Sequence, residues 1–137
     1  MCYRARGGDM LIKTIEYDFS VCKVADYSQT DIESEFCFIG RTDEEKSLVC
    51  RTDKVPGNAA ACENGWKAFR IQGILDFSLI GILAEISTLL ADNGIGIFAV
   101  STYNTDYIFT KQEAYHKALE VLAKAGHQII TPAEQKF

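Results

Sequence analysis

The segment 66–130 constrains the fold most, because its apolar pattern switches between strand spacing and helix spacing. Residues 66–72 alternate between apolar and polar side chains, as a half-buried strand does. In residues 79–90 the apolar side chains instead recur at three- and four-residue intervals, which places them on one helix face. Gly94 is placed to end this helix. The residues of the predicted apolar face are Leu79, Ile82, Leu83, Ile86, Leu89 and Leu90.

The same alternation of strand and helix then repeats. The pattern predicts a strand at 95–103, a tight turn at Asn104 and Thr105, and a returning strand at 106–109. Residues 110–113 have the spacing of a capping box, so a helix is expected from there to Ala125, with Gly126 closing it. A last strand is expected at 127–130. The predicted core residues on the two helices are Leu83, Ile86, Leu90, Leu119 and Leu122.

This order predicts an α+β fold of the ferredoxin-like βαββαβ type, an antiparallel sheet with two helices on one face. The other face of such a sheet must also be covered, so a second sheet or a second subunit is expected.

The chain is predicted to divide near residue 60, where the turn-rich run 54–58 contains Pro56 and Gly57. Met10 is a second candidate, besides Met1, for the first residue of the protein. Before the break, runs rich in β-branched, aromatic and Cys residues predict short strands at 11–17, 21–25, 35–42 and 46–51. The predicted organisation is a disordered extension at 1–9, an N-terminal subdomain at 10–60 and a C-terminal domain at 61–131.

Composition and motifs argue against several classes of function. The net charge of −5 provides no basic stripe for nucleic acid, and no apolar run approaches the length of a membrane span. No GxGxxG, P-loop, HExxH or Ser/His/Asp arrangement indicates an enzyme. His116 and His127 could serve as bases, but a surface or structural role is favoured for both.

The cysteines number five and include no CxxC pair, so no metal site or cofactor is predicted. They are interpreted as reduced thiols of a cytoplasmic protein, mostly in the core. They are Cys2, Cys22, Cys37, Cys50 and Cys62.

Residues 64–125 resemble an ACT domain, a module that senses small metabolites, usually amino acids. The resemblance rests on Gly81-Ile82, on Asn93-Gly94-Ile95 and on the pattern Ser101-Thr102-Tyr103-x-x-Asp106-Tyr107. The segment is similar to small bacterial tandem-ACT proteins that bind amino acids, to aspartate kinase regulatory domains and to the arginine sensors upstream of the TOR kinase. By the same resemblance, residues 10–60 would be a degenerate ACT-like partner subdomain.

The resemblance implies a binding site formed by the loop before the first helix and by the strand–turn segment. A ligand carboxylate would lie at the helix start, with Gly81 permitting close approach, and the ammonium would meet Asp106. Purely structural roles remain open: Asp106 as a turn brace, Gly81 for helix–sheet packing, and Ser78 or Asp76 as an N-cap. The implied ligand-binding residues are Asp76, Phe77, Ser78, Leu79, Ile80, Gly81, Ile82, Thr102, Tyr103, Thr105 and Asp106.

Arginine sensors of this family have acidic residues in the loop before the glycine, whereas residues 77–80 here include none. The expected ligand is therefore a neutral or apolar amino acid, with another small organic acid as an alternative. The resulting hypothesis is a non-enzymatic regulatory sensor that binds its ligand at a subdomain or subunit interface. A homodimer is expected, together with a regulated protein partner. The alternative hypothesis is a protein-interaction module with an ACT-like fold and no ligand.

Overall fold

The computed structural model describes residues 10–72 and 81–132 of the 137-residue chain. The chain forms two compact units. The C-terminal unit comprises the described residues up to Glu16 and from Lys67 onward, and the middle unit is Tyr17–Trp66. The elements are β1 (Leu11–Val24), β2 (Phe38–Arg41), β3 (Lys46–Arg51), β4 (Ala59–Ile71), α1 (Ile82–Asp92), β5 (Ile97–Ser101), β6 (Asp106–Lys111), α2 (Gln112–Lys124) and β7 (Gln128–Ile130).

In the C-terminal unit, β4, α1, β5, β6, α2 and β7 follow one another in the predicted βαββαβ order, which confirms the fold class. The strands of its sheet lie in the order β7-β1-β4-β6-β5. β5 and β6 form an antiparallel hairpin in which Ser101 faces Asp106. The first residues of β1 lie between β7 and β4 and pair in parallel with β7, an arrangement that the sequence pattern did not indicate.

The core of the C-terminal unit forms where the two helices cover the sheet. Ile86, Leu90 and Leu122 are fully buried, as predicted. Leu83 and Leu119 were also predicted to lie in the core, but they are half-buried and pack at its margin. The predicted helix faces were therefore correct in direction and slightly too wide.

Both helices end in the same hydrogen-bonded motif, which places a glycine in the left-handed region. At the end of α1, Gly94 has φ of +75° and donates to the carbonyl of Ala91, while Ile95 donates to that of Leu90. At the end of α2, Gly126 has φ of +102°. These are Schellman motifs, and they confirm the predicted helix ends.

The start of α2 differs from the prediction. Thr110 was expected to cap this helix, but it is a buried residue of β6, and its hydroxyl donates to the carbonyl of Lys111. Lys111 occupies the N-cap position, with no side-chain cap from the described residues. β6 runs directly into α2, so no turn residue is available to form the capping box.

The middle unit has strand order β2-β3-β1-β4. An acidic turn joins β2 to β3, with the amide of Thr42 donating to the carbonyl of Glu45 at 2.9 Å. Two of the predicted strands, 11–17 and 21–25, form the single strand β1, and β4 runs without interruption through the predicted boundary at residue 60. The buried core residues of this unit include Cys22, Val24, Leu48 and Cys50.

Within the described ranges, neither helix has the length and apolar character needed to cross a membrane.

Candidate ligand-binding site

The candidate site lies at one end of the sheet in the C-terminal unit. The hydroxyl of Thr105 donates to the carbonyl of Ile71 at 2.8 Å, so the turn between β5 and β6 contacts the last residue of β4. At the same end of the sheet, Gln72 donates its amide to the carbonyl of Leu11. Residues 73–80, which lead from β4 to α1, are outside the described residues. Thr105 thus anchors the turn to the end of β4.

Hydrogen bonds fix the shape of the turn at 102–105. The amide of Thr102 donates to the carbonyl of Thr105 at 2.8 Å, and the Thr102 hydroxyl donates to the same oxygen at 2.9 Å. Thr105 is only 6% exposed, whereas Tyr103 at the tip is 84% exposed. The turn therefore presents the Tyr103 ring to solvent on a rigid backbone.

Asp106 begins β6, and one of its carboxylate oxygens accepts a hydrogen bond of 2.6 Å from the Ser101 hydroxyl. This cross-strand contact agrees with the structural role considered for Asp106, that of a turn brace. It also leaves the second carboxylate oxygen with acceptor capacity, since an ionised carboxylate has about four lone-pair positions.

Helix α1 begins at Gly81, whose φ of +86° is the left-handed conformation that glycine adopts without strain. The carbonyl of Gly81 accepts the first helical hydrogen bond from Glu85 at 2.8 Å. No described heavy atom lies within 4 Å of the position that a Cβ would take here. Close helix–sheet packing therefore does not explain this glycine within the part of the chain that the structure describes.

The start of α1 has no side-chain cap from the described residues. The first amide groups of any helix lack an acceptor within the helix, and the helix dipole adds a partial positive charge there. Ile82, the first helical residue, is 6% exposed and anchors this end in the core.

The remaining predicted site residues fall outside the described residues. They are Asp76, Phe77, Ser78, Leu79 and Ile80, and they remain predictions, as do the proposed caps Ser78 and Asp76.

A polar pair near this end of the unit, formed by a buried histidine and a half-buried glutamate, was not expected from the sequence. The His127 side chain is completely buried, and its Nε2 lies 3.6 Å from Oε2 of Glu85 on α1. Neither ring nitrogen has a hydrogen-bond partner among the described residues. His127 follows Gly126 in the Schellman motif of α2, where its amide donates to Leu122. Because the residue after such a glycine commonly packs against the helix, Gly126 was a signal that His127 would be buried.

His116, in contrast, is a surface residue, as predicted. Its side chain is 88% exposed and its Nε2 lies 3.2 Å from Glu120. Among the described residues, no group of three His, Cys, Asp or Glu side chains is arranged to hold a metal ion.

Comparisons with known proteins identify similar sequences and folds. The ACT-domain sequence profile matches residues 61–124. A crystal structure of an Agrobacterium tumefaciens protein is 31% identical, with a TM-score of 0.79, and the match covers 89% of this chain and 92% of that one. No curated protein sequence matches the chain.

Two further solved structures share the fold at lower identity. A Vibrio cholerae protein of unknown function is 21% identical with a TM-score of 0.71, covering 91% of this chain and 96% of that one. The regulatory subunit of aspartate kinase from Thermus thermophilus, in its ligand-free form, is 12% identical with a TM-score of 0.57, covering 83% of this chain and 95% of that one.

Proposed function

We propose that this chain, which belongs to the ACT-domain family, is a non-enzymatic sensor that binds a free amino acid at the start of α1. Membership of this family supports a regulatory, ligand-binding role. The observation that carries the assignment to this site is the helix start at Gly81, which has no side-chain cap from the described residues.

The ligand carboxylate would accept hydrogen bonds from the first amides of α1 and would be favoured by the positive end of the helix dipole. Gly81 supports this proposal because open space lies where a side chain would otherwise stand, as far as the described residues extend. A larger residue in the same backbone conformation would be strained as well.

The ligand ammonium would bind the Asp106 carboxylate as a charge-assisted hydrogen bond. Ser101 orients this carboxylate at 2.6 Å, and Thr105 holds the turn against Ile71. The turn is therefore preorganised, which reduces the entropy lost on binding. Because residues 77–80 include no acid, a neutral or apolar side chain suits the ligand better than a cationic one.

The proposal is tested by measuring the thermal unfolding of the full chain against the twenty common amino acids. A ligand at about one hundred times its Kd should stabilise the protein by about 2.7 kcal/mol. The amide and the N-acetyl derivative of the best ligand serve as matched controls, since each removes one of the two charges that the site is proposed to recognise. Both should bind much more weakly than the parent amino acid.

Two outcomes would count against the proposal. If no amino acid shifts the unfolding temperature, the protein-interaction module becomes the better explanation. If the amide binds as tightly as the parent, the carboxylate does not lie at the start of α1.

We also propose a homodimer, since β5 ends the strand order of the C-terminal unit and an edge strand can pair with a second copy. Light scattering at tens of micromolar should give twice the chain mass, and a monomer mass would refute this.

A further inference from the structure

A pair of thiols in the middle unit has no part in the proposed ligand site. Sγ of Cys22 on β1 lies 3.5 Å from Sγ of Cys62 on β4. The two strands are neighbours in the sheet. Cys22 is buried, whereas Cys62 is exposed. An exposed thiol in contact with a buried one is the arrangement in which a solvent oxidant can react with the first and the second can complete a disulfide.

A chain of hydrogen bonds holds Cys62 against Cys22. The Cys62 thiol donates to Oδ1 of Asn64 at 3.3 Å, and the Ser20 hydroxyl donates to the same oxygen at 2.6 Å. Ser20 also shares a hydrogen bond of 2.9 Å with the Thr52 hydroxyl. These contacts restrict Asn64 and so limit the positions that the Cys62 sulfur can take.

We propose that Cys22 and Cys62 are a reversible oxidation site. A low-molecular-weight disulfide is the oxidant, and the product is an intramolecular disulfide between the two cysteines. The thiolate of Cys62 attacks the oxidant, forms a mixed disulfide and releases one thiolate. The sulfur of Cys22, after losing its proton, attacks the Cys62 sulfur and releases the second thiolate. The two cysteine thiols thereby lose two electrons and two protons. The oxidant disulfide gains both and becomes two thiols.

Exposure decides the order of these steps. Cys50 on β3 is another buried thiol of this core, so it is the natural competitor for Cys22. Both are shielded from a solvent oxidant, and Cys62 is the exposed member of the group. The disulfide should therefore join Cys62 to its contact partner Cys22 rather than Cys22 to Cys50.

The second step should depend strongly on pH. Burial raises the pKa of the Cys22 thiol from 9.0 to about 12, with contributions from the neighbouring Cys62 and Cys50. Below this pKa the thiolate fraction rises about tenfold with each pH unit. The mixed disulfide on Cys62 should therefore accumulate near neutral pH. As the pH rises, its conversion to the Cys22–Cys62 disulfide should become faster.

The experiment equilibrates the full chain with mixtures of reduced and oxidised glutathione, blocks the remaining thiols and maps tryptic peptides without reduction. The sequence suits this method, since Cys22, Cys50 and Cys62 fall in separate tryptic peptides, 14–23, 47–51 and 55–67. The expected result is a linked pair of 14–23 with 55–67 that disappears on reduction. Circular dichroism confirms that each sample is folded.

Two variants complete the test. Cys62→Ala, at an exposed position, should abolish the linked pair, and Cys50→Ala, the matched control, should leave its yield within about twofold. The proposal is overturned if folded wild-type protein yields no such pair at any glutathione ratio. It is also overturned if Cys22 links to Cys50 in the wild type more than to Cys62.

Discussion

Replacing Asp106 with asparagine removes one negative charge from the candidate site while keeping the size and shape of the side chain. The asparagine carbonyl oxygen can still accept the hydrogen bond that Ser101 now donates at 2.6 Å. Ser101 is exposed and Asp106 is half-buried, so solvent screens this contact. Without ligand, the free energy of unfolding should therefore change by less than about 0.5 kcal/mol.

Ligand binding should respond much more strongly. A hydrogen bond between two charged groups contributes about 1.5–3 kcal/mol, which corresponds to roughly a 10- to 150-fold loss of affinity when the charge on Asp106 is removed. Because Thr105 still anchors the turn to Ile71, the backbone of the site should not move.

Calorimetric titration of the wild type and the variant with the best amino acid measures this difference. Asp92→Asn is the matched control, since Asp92 is an exposed carboxylate at the other end of α1, about 17 Å along the helix from Gly81. This control should bind like the wild type. The reasoning is refuted if Asp106→Asn binds the ligand normally, or if it lowers the stability of the ligand-free protein by 1.5 kcal/mol or more, as a structural brace would.

Further perturbations test the packing and the thiols. In urea unfolding, Leu122→Ala should lower the free energy of unfolding by about 2–5 kcal/mol, because the Leu122 side chain is fully buried. Leu119→Ala should lower it by less than half as much, because Leu119 is half-buried, and equal losses would contradict the packing. Gly81→Ala should lower the free energy of unfolding by about 1–2 kcal/mol, because alanine is strained at the φ of +86° that Gly81 adopts. An unchanged urea midpoint would exclude that conformation. Closing the loop of roughly 40 residues between Cys22 and Cys62 should stabilise the protein by up to about 4 kcal/mol, measured by urea unfolding of oxidised and reduced samples; no gain would contradict the loop-closure argument. At pH 8, iodoacetamide should modify exposed Cys62 at least about a hundredfold faster than Cys22, whose pKa is raised to about 12, and equal rates would show that Cys22 is accessible.

Periodicity predicted the two helices of the C-terminal unit well because each of them buries one face. The helical stripe at 79–90 led to Ile86 and Leu90, which are fully buried. Gly94 and Gly126 marked both helix ends, since each adopts a positive φ that other residues reach only with strain. The βαββαβ order followed directly from these signals.

Long-range strand pairing could not be read from the pattern. β1 extends from Leu11 to Val24 and includes residues 18–20, which lay between two separately predicted strands, and its first part pairs with β7 at the far end of the chain. β4 starts at Ala59, directly after the turn at Pro56, so it crosses the boundary that was predicted near residue 60. Such pairings depend on tertiary contacts that no local window contains.

The candidate site was predictable in part. The polar residues of the turn at 102–106 were identified from the sequence, and the structure places Thr105 against Ile71. The pairing of His127 with Glu85 was not, because the two residues are distant in sequence and meet only through the helix packing. The thiol contact of Cys22 with Cys62 was missed for the same reason, since it depends on the neighbouring positions of β1 and β4.

NMR can locate an amino acid bound at the start of α1 and beside Asp106. The ¹⁵N-labelled full chain would be titrated with the best amino acid, and the backbone amide shifts followed to saturation. The largest shifts should occur at Gly81, Ile82, Thr105 and Asp106, with one saturating ligand per chain. Largest shifts at the other end of the unit, where α1 ends at Asn93 and α2 begins at Gln112, or no saturable shifts with any amino acid, would contradict binding at this site.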